Sequence, residues 1–369
     1  MSFLISLIPT LIVLGILILI HELGHFIACR LTGVRVEKFS IWFGPEILKF
    51  QGPETAYVIS LFPLGGFVKP AGEMASEVEG GVPKPGDYLA APLPAKIFIV
   101  TAGVIMNYLL AFMLFAWVFM IGRPIPGTVI GGFIEGYPAK ASALSTGDRI
   151  VSINGAPVST WQAMTEEINR LETAELLLTV EKKGTQGAVY DVRLTPKVEN
   201  ANDLFGKPVT VKRLGITPSP ESQIFEKYPL RQAVVKGADS VISLTVMTHK
   251  AIFYMLTGRM SARAMAGPIG IVAMTGSAAK LGLPYVLQLA ASLSVSLAVI
   301  NLLPIPALDG GHFFFLLWEA VTRRRVSYKV QERLTQAGFA LLMVLMIFVI
   351  YNDLVNLSVF EKVRQFFVK

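Results

Sequence analysis

The chain has 369 residues, of which 53% are hydrophobic and only 16% are charged, and its formal net charge is +7. Ordinary soluble domains carry about 25% charged residues, so this composition argues against a purely soluble protein, and its apolar content excludes disorder. The one cysteine, Cys29, excludes an intramolecular disulfide and a cysteine-rich metal cluster.

Four uncharged stretches concentrate the apolar residues, and each approaches the roughly 20 residues that cross a bilayer as a helix. A single stretch of this kind also fits a buried core helix, but four of them favour membrane-spanning helices. They cover residues 1–20, 97–121, 281–308 and 334–352. We therefore predict a polytopic α-helical membrane protein with four transmembrane helices. The first three transmembrane helices are predicted in segments 1–30, 97–121 and 281–322, and the fourth in segment 323–369 together with a basic loop and the C-terminal tail. Segment 31–96 is a loop, 122–220 is an inserted domain, and 221–280 is an interfacial segment.

The first span ends in the sequence His-Glu-Leu-Gly-His at residues 21–25. Two histidines four residues apart share one helix face, so His21 and His25 are positioned to bind one zinc ion. Glu22 is then suited to hold and deprotonate a water molecule. The alternative is that these polar residues only sit in headgroup water, but ionisable groups at membrane depth cost on the order of 2–3 kcal/mol each and normally mark function.

The inserted segment 122–220 has the pattern of a small soluble α/β domain. Asn154-Gly155 is predicted to form a hairpin turn after a strand. Ser159 or Thr160 is expected to cap a helix. The predicted strands cover 128–134, 147–153, 174–181 and 189–195, and the apolar face of the helix contains Trp161, Met164, Ile168 and Leu171.

Segment 221–280 is expected to lie along the membrane interface. Residues 228–258 have a helical apolar pattern but contain too many charges to span the bilayer. Residues 260–280 are rich in small side chains, and 267–270 (Gly-Pro-Ile-Gly) is predicted to form a turn.

A catalytic zinc ion requires a third protein ligand. Leu31 stands where a third histidine of the metzincin type is required, Glu46 lies in a turn-like sequence, and His249 is expected on the other side of the membrane. Asp309 follows the third uncharged stretch directly, so it returns to the same side as His25 and is the preferred candidate.

The sequence around Asp309 contains two prolines and two glycines that break the helix near the membrane surface. Such broken backbone is tolerated in a membrane only where it is buried in protein or lines water. Asn301 is a candidate for stabilising an oxyanion or positioning the substrate backbone. His312 fits a structural role and a catalytic role equally well, and Cys29 is expected to be a small buried residue.

Basic residues set the expected orientation. Those between the third and fourth spans mark a cytoplasmic loop: Arg323, Arg324, Arg325, Lys329 and Arg333. Segment 31–96 then lies on the cytoplasmic side, and segment 122–280 and both termini lie on the exported side. Basic charge in so apolar a chain indicates a lipid bilayer as partner and no nucleic acid.

The sequence resembles the site-2 protease family of intramembrane zinc metalloproteases, and most closely the bacterial regulator of sigma-E protease group. The resemblance rests on HELGH at 21–25, on NLLPIPALDG at 301–310 and on the domain inserted between them. It implies His21, His25 and Asp309 as Zn²⁺ ligands and Glu22 as the catalytic glutamate. Gly103–Asn107 also resembles a family pattern, although Val104 stands where proline is common.

The resemblance further implies a location in the bacterial inner membrane and a substrate class. The expected substrate is a membrane-anchored protein with a single transmembrane helix, similar to an anti-sigma factor, which an upstream site-1-type protease has already cut. The alternative is a proteolytically inert scaffold that binds exported peptides.

Two segments are candidate substrate-binding elements by this resemblance. Residues 147–158 resemble the signature of a PDZ domain, here a single copy, with Leu214, Gly215 and Ile216 as the binding loop; the alternative is passive bulk. Residues 55–70 resemble a membrane-reentrant β-loop, in which Tyr57, Ile59, Gly65 and Gly66 would bind an unwound substrate as an added strand. The alternative for this loop is an ordinary hairpin that covers the site.

Overall fold

The computed structural model describes residues 3–73, 82–185, 187–202, 208–261 and 265–356. The chain divides into two compact units. The helical unit contains residues 1–118, 231–252 and 261–369, and the inserted unit contains residues 119–230 and 253–260.

Most of the helices belong to the helical unit, and most of the strands belong to the inserted unit. The helices are α1 (Phe3–Leu31), α2 (Leu93–Ile121), α3 (Trp161–Arg170), α4 (Leu230–Leu256), α5 (Pro268–Leu281), α6 (Leu283–Asn301), α7 (Asp309–Thr322) and α8 (Tyr328–Asn356). The strands are β1 (Val36–Gln51), β2 (Ala56–Pro70), β3 (Arg123–Pro126), β4 (Ile130–Phe133), β5 (Arg149–Ile153), β6 (Ala156–Pro157), β7 (Leu176–Glu181), β8 (Val189–Leu194), β9 (Lys197–Asn202), β10 (Pro208–Arg213), β11 (Ile216–Pro218) and β12 (Gln223–Glu226).

Within the described residues, four helices are long and apolar enough to cross a membrane, as the composition predicts. They are Ile5–Leu31, Leu93–Ile121, Leu283–Asn301 and Tyr328–Asn356. The first continues beyond the uncharged stretch, because the polar residues of the HELGH sequence interrupt the hydropathy but not the helix. His21 and His25 therefore lie about 15 and 9 Å before the end of α1, at 1.5 Å per residue.

The predicted third transmembrane segment, 281–322, is divided into α6 and α7, and α5 precedes it within the predicted interfacial segment. Gly282, with φ 113°, separates α5 from α6, and residues 302–308 separate α6 from α7. The sequence 267–270, predicted as a turn, begins α5, with Pro268 as its first residue. The Asp353 carboxylate of α8 accepts hydrogen bonds of 2.9 Å from the backbone N–H groups of Gly267 and Gly270, so a side chain of α8 caps α5.

Strands β1 and β2 form a folded sheet beside the first helix. Residues 56–60 have Cα partners in both 38–41 and 46–51, and 38–41 also pairs with 66–70. The chain reverses between 41 and 46, where Trp42 (φ 71°) and Gly44 (φ 95°) take left-handed conformations. Segments 46–51 and 66–70 are consequently the two outer segments of this sheet.

The inserted unit is an α/β domain around a four-stranded sheet in the order β6-β5-β7-β8. Smaller pairs β4–β11, β3–β12 and β9–β10 complete it. The predicted turn at Asn154-Gly155 is confirmed, and the Thr160 hydroxyl accepts a 3.1 Å hydrogen bond from the Ala163 N–H at the start of α3. Fully buried side chains from the sheet and α3 form its core: Ile130, Ile150, Ile153, Met164, Leu176, Leu178 and Val180.

Asp148 holds the turns of the inserted unit together from a buried position. Its carboxylate accepts hydrogen bonds from the Ser145 N–H (2.8 Å), the Lys183 N–H (3.0 Å) and the Tyr190 hydroxyl (2.6 Å). Burial raises the pKa of Asp148, but these bonds, with that from Tyr190 first, outweigh burial and hold the pKa below its ordinary value. Burial and the same bond raise the pKa of Tyr190 to about 12.

We expect Asp148→Asn to destabilise the inserted unit by about 1–3 kcal/mol at neutral pH, because a buried acceptor is replaced by an amide. A carboxylate whose pKa is lowered by folding stabilises the folded state at pH values above its unfolded pKa of about 3.9. This stabilisation is lost as the pH falls through the folded pKa. The deficit should therefore shrink at pH 3. Amide hydrogen exchange of β7 in the full chain, at pH 7 and pH 3, measures it.

Asp191→Asn is the matched control for that experiment. Asp191 is exposed on β8 and accepts a surface hydrogen bond from Thr179. Its substitution should change the exchange of β7 by less than about 0.5 kcal/mol. An equal effect of the two variants would contradict the role given to Asp148.

Candidate active site

Three predicted ligands meet at one point of the helical unit. His21 and His25 lie on one face of α1, and Asp309 is the first residue of α7. The Asp309 Oδ2 atom lies 3.1 Å from His21 Nε2 and 3.4 Å from His25 Nε2, and the two Nε2 atoms are 3.2 Å apart. One ligand atom from each residue lies within 4.8 Å of the others, as in a metal site.

The helix break before α7 brings Asp309 to this point. Pro304 and Pro306 stop the helix after Asn301, and the chain folds back across the start of α7. A Cβ at Gly310 would collide with the backbone of Leu302 and Leu303, so the close approach requires glycine there. The carboxylate of Asp309 also lies at a helix N-terminus, where the helix dipole favours negative charge.

Helix α2 orients both imidazoles. The Nδ1 atom of His25 lies 2.8 Å from the backbone carbonyl oxygen of Ile99, and the Nδ1 atom of His21 lies 3.1 Å from the amide of Asn107. The Nε2 atoms of both rings are thereby directed at Asp309. Outer contacts of this kind commonly fix the orientation of metal-binding histidines.

The residues present fit a zinc ion. A Cβ at Gly103 of α2 would collide with the His25 ring and lie 2.7 Å from Cε1 of His21, so the two rings occupy a space that only glycine leaves open. Among the described residues, the buried Oδ2 atom of Asp309 has no hydrogen-bond donor. Two imidazole nitrogens and one carboxylate oxygen form a ligand set that catalytic zinc ions use.

A cavity of about 740 Å³ opens beside these ligands, and Glu22 lines it. The Glu22 carboxylate lies next to the backbone amide of Val68, and its Cγ is 3.4 Å from where a Cβ of Gly66 would stand. Phe67 and Pro70 line the same cavity. A carboxylate, two imidazoles and the outer segment 66–70 of the sheet therefore face one space.

Several other predicted residues are also placed by the structure. The Nδ2 atom of Asn301 lies 3.5 Å from His21 Nε2, and His312 lines the cavity. Glu46 pairs instead with Lys38 at 2.5 Å, and His249 is exposed on α4. Neither belongs to the three-residue ligand group. Cys29 is fully buried, as predicted.

The predicted substrate-binding residues of the β-loop occupy different places in the sheet. Tyr57 has Cα partners in Phe39 and Phe50, and Ile59 has partners in Ile41 and Leu48, so both lie in an inner segment. The main chain of an inner segment cannot accept an added strand. Gly65 and Gly66 precede and begin the outer segment 66–70. Of the two outer segments, 66–70 is the one that lines the cavity beside Glu22, and the alternating pattern of residues 57–62 does not indicate this.

The predicted peptide-binding loop of the inserted unit leads into β11. The side chain of Leu214 is buried in the core, and Gly215 has φ 81°. Their carbonyl oxygens accept hydrogen bonds from the N–H groups of Ala139 (3.0 Å) and Ile134 (2.8 Å). Ile216 pairs with Phe133 of β4.

Sequence reasoning did not identify the groups that orient the imidazoles or border Glu22. The Ile99 carbonyl and the Val68 amide are main-chain groups and leave no signal in the residue type. Asn107 did leave a signal, since it is a polar residue in the apolar stretch 97–121, and it was noted only as part of a family pattern.

Comparisons with known proteins identify a family and relatives of this chain. The family description "Peptidase family M50" matches residues 9–345. A relative in Clostridium acetobutylicum is 34% identical over 357 residues, which cover 95% of this chain and 97% of the relative. Relatives in Campylobacter jejuni and Rhizobium meliloti are each 33% identical to this chain, and the alignments cover 93% and 96% of these relatives. All three are named, provisionally, as zinc metalloproteases.

Proposed function

This chain belongs to the site-2 protease family, peptidase family M50, and is a zinc metalloprotease, and from that premise we propose that it cleaves a peptide bond within the transmembrane segment of a membrane-anchored protein. His21, His25 and Asp309 hold the zinc ion in this proposal, and Glu22 is the catalytic acid–base. The observation that carries it is the convergence of three ligand atoms within 4.8 Å, two of them from the first apolar helix and one from the start of α7, beside Glu22.

The zinc ion, when bound, supplies Lewis acidity that polarises the scissile carbonyl and eases deprotonation of water. The Glu22 carboxylate accepts the proton from the attacking water and then delivers it to the nitrogen of the leaving amine. The Asn301 amide, 3.5 Å from His21, is suited to donate a hydrogen bond to the carbonyl oxygen as negative charge develops there.

The depth of the site supports a transmembrane substrate. His21 and His25 lie within an apolar helix that is long enough to span the bilayer, about 9 to 15 Å from its end. A peptide bond must reach this depth to react, and a transmembrane helix is the form in which protein chains occur there. Its backbone groups are hydrogen-bonded within the helix, so the helix must unwind before hydrolysis.

The outer segment 66–70 offers an unwound substrate new hydrogen-bond partners. A substrate strand added beside Phe67 and Val68 would pass through the cavity that Glu22, His21 and His25 line. Gly65 and Gly66 lead into this segment, whereas Tyr57 and Ile59 support it from the inner part of the sheet. We assign substrate pairing to 66–70 for this reason.

We assign substrate docking or gating to the inserted unit, as a PDZ-type domain. Its support is the Gly147–Val158 sequence together with the Asn154-Gly155 hairpin and the strand that follows Gly215. In this proposal Leu214, Gly215 and Ile216 receive a peptide end. In this proposal the domain excludes substrates with a large exported part, so it favours substrates that an upstream protease has already shortened.

We place the chain in the bacterial inner membrane, with the active site near the cytoplasmic side and the inserted unit and both termini on the exported side. The basic residues between α7 and α8 support this orientation. The relatives come from bacteria.

The test is cleavage of a single-span reporter protein by the purified full chain in proteoliposomes. A zinc chelator should stop cleavage, and added zinc should restore it, because the ligands lie in an accessible cavity. A soluble peptide that matches the exported part of the reporter is the control and should remain intact. Cleavage that continues undiminished in chelator would contradict the proposal.

A further inference from the structure

We propose that Asn107 is a positioning residue that fixes the tautomer of His21, so that the Nε2 atom of this ring remains free to bind zinc. The inference rests on the proposed zinc site. Asn107 is fully buried in α2.

The chemistry of imidazole requires an acceptor at this position. A neutral ring that binds a metal through Nε2 carries its proton on Nδ1, and this N–H needs a hydrogen-bond acceptor where it is buried. The His21 Nδ1 atom lies 3.1 Å from the Asn107 amide nitrogen, while Oδ1 of that amide has no partner among the described residues. A 180° rotation of the amide exchanges the two atoms and provides the acceptor.

The opposite tautomer would disable the ligand. With the amide nitrogen directed at the ring, Nδ1 would be the acceptor and Nε2 would carry the proton, which excludes zinc from His21. An unpartnered buried oxygen also costs free energy. When Oδ1 of Asn107 accepts from Nδ1–H of His21, this oxygen has a partner and Nε2 is free to bind zinc.

One face of α2 contacts the imidazole rings of both His21 and His25. Ile99, Gly103 and Asn107 are four residues apart and therefore share a face. The Ile99 carbonyl contacts Nδ1 of His25, Gly103 leaves room for the two rings, and Asn107 contacts Nδ1 of His21. The acceptor for His25 is main chain, whereas the acceptor for His21 is a side chain and can be replaced.

A neighbouring helix holds Asn107 in position. The Ser294 hydroxyl of α6 donates a 2.8 Å hydrogen bond to the backbone carbonyl oxygen of Asn107. This bond fixes the backbone of α2 at the point from which the amide reaches His21, but it does not touch the ring. Ser294→Ala is thus a matched control for the loss of one buried hydrogen bond at the same place.

The experiment measures zinc affinity by chelator competition on the full chain in detergent. Asn107→Leu removes the acceptor at similar volume and should weaken zinc binding about 10- to 100-fold, the usual effect of losing such an outer partner. Asn107→Asp keeps an acceptor and should bind zinc within about threefold of the unaltered chain, as should Ser294→Ala. Asn107→Ala repeats the removal if the leucine variant does not fold.

The order of the variants separates positioning from simple packing. If Asn107 only filled space, leucine would be tolerated and a buried aspartate would be the damaging change, and that order would overturn the inference. Failure of the zinc site itself gives a different result, because the unaltered chain would then bind no zinc competitively. Unchanged zinc affinity in both Asn107→Leu and Asn107→Ala would also overturn it while leaving the proposed function in place.

Discussion

Glu22→Gln is expected to lower the rate of substrate cleavage by about 10²- to 10⁴-fold, the usual contribution of a positioned general base. Glutamine keeps the size of the side chain beside Val68 but cannot accept a proton from water at neutral pH. The proposed zinc ligands are three other residues. The variant should therefore retain zinc and fold normally, so the loss should appear in the turnover rate.

The measurement is the single-turnover rate on the single-span reporter, with zinc content determined on the same preparation. Glu54→Gln is the control, because Glu54 is exposed and pairs with Arg30. It should cleave at the unaltered rate. A Glu22→Gln protein that cleaves at the rate of this control would remove Glu22 from the mechanism.

Asp309→Asn should weaken zinc binding by more than about 100-fold, since a direct ligand matters at least as much as an outer partner. The neutral amide oxygen is a poorer ligand than a carboxylate, and only two imidazoles would remain. Zinc content after gel filtration and zinc affinity by chelator competition measure the effect. Cleavage should fall in parallel with zinc content.

Glu46→Gln is the control for the third ligand, because Glu46 is the alternative that the sequence leaves open. It pairs with Lys38 on the folded sheet and is absent from the ligand group. Its substitution should leave zinc content unchanged. Zinc loss in Glu46→Gln together with full zinc content in Asp309→Asn would reverse the assignment.

The membrane helices and the convergence of His21, His25 and Asp309 could be predicted from the sequence because their signals are local or simple. Apolar stretches of spanning length identify the four helices. His21 and His25 share a face by spacing alone, and the two crossings made by the second and third spans return Asp309 to the same end of the bundle as His25. The helix break at Pro304 and Pro306 was also predictable, since proline cannot continue a helix.

The boundaries of the helices were less predictable. The first uncharged stretch ends before His21, but α1 continues to Leu31, close to the end of the predicted segment 1–30, because the hydrogen bonds of a helix do not depend on hydropathy. Residues 267–270 begin α5 instead of forming a free turn, since the Asp353 carboxylate of α8 satisfies the first N–H groups of that helix. A contact across 83 to 86 residues leaves no local trace in sequence.

The details of the site depend on such long-range contacts. The pairing of Tyr57 on both sides follows from the reversal of β1 at Trp42 and Gly44, and hydrophobic alternation does not indicate which segment becomes the edge. The amide of Asn107 meets His21 from 86 residues away. Sequence patterns gave the residue types of the catalytic site, whereas the tertiary structure determines their orientation.

The position of the cut bond in the substrate tests the central claim most directly. Mass spectrometry of both products, from the single-span reporter in proteoliposomes, locates this bond. We predict new termini within the reporter's transmembrane segment, formed only when zinc is present and Glu22 is intact. Products cut solely outside that segment, or formed equally by Glu22→Gln, would contradict intramembrane cleavage by this site.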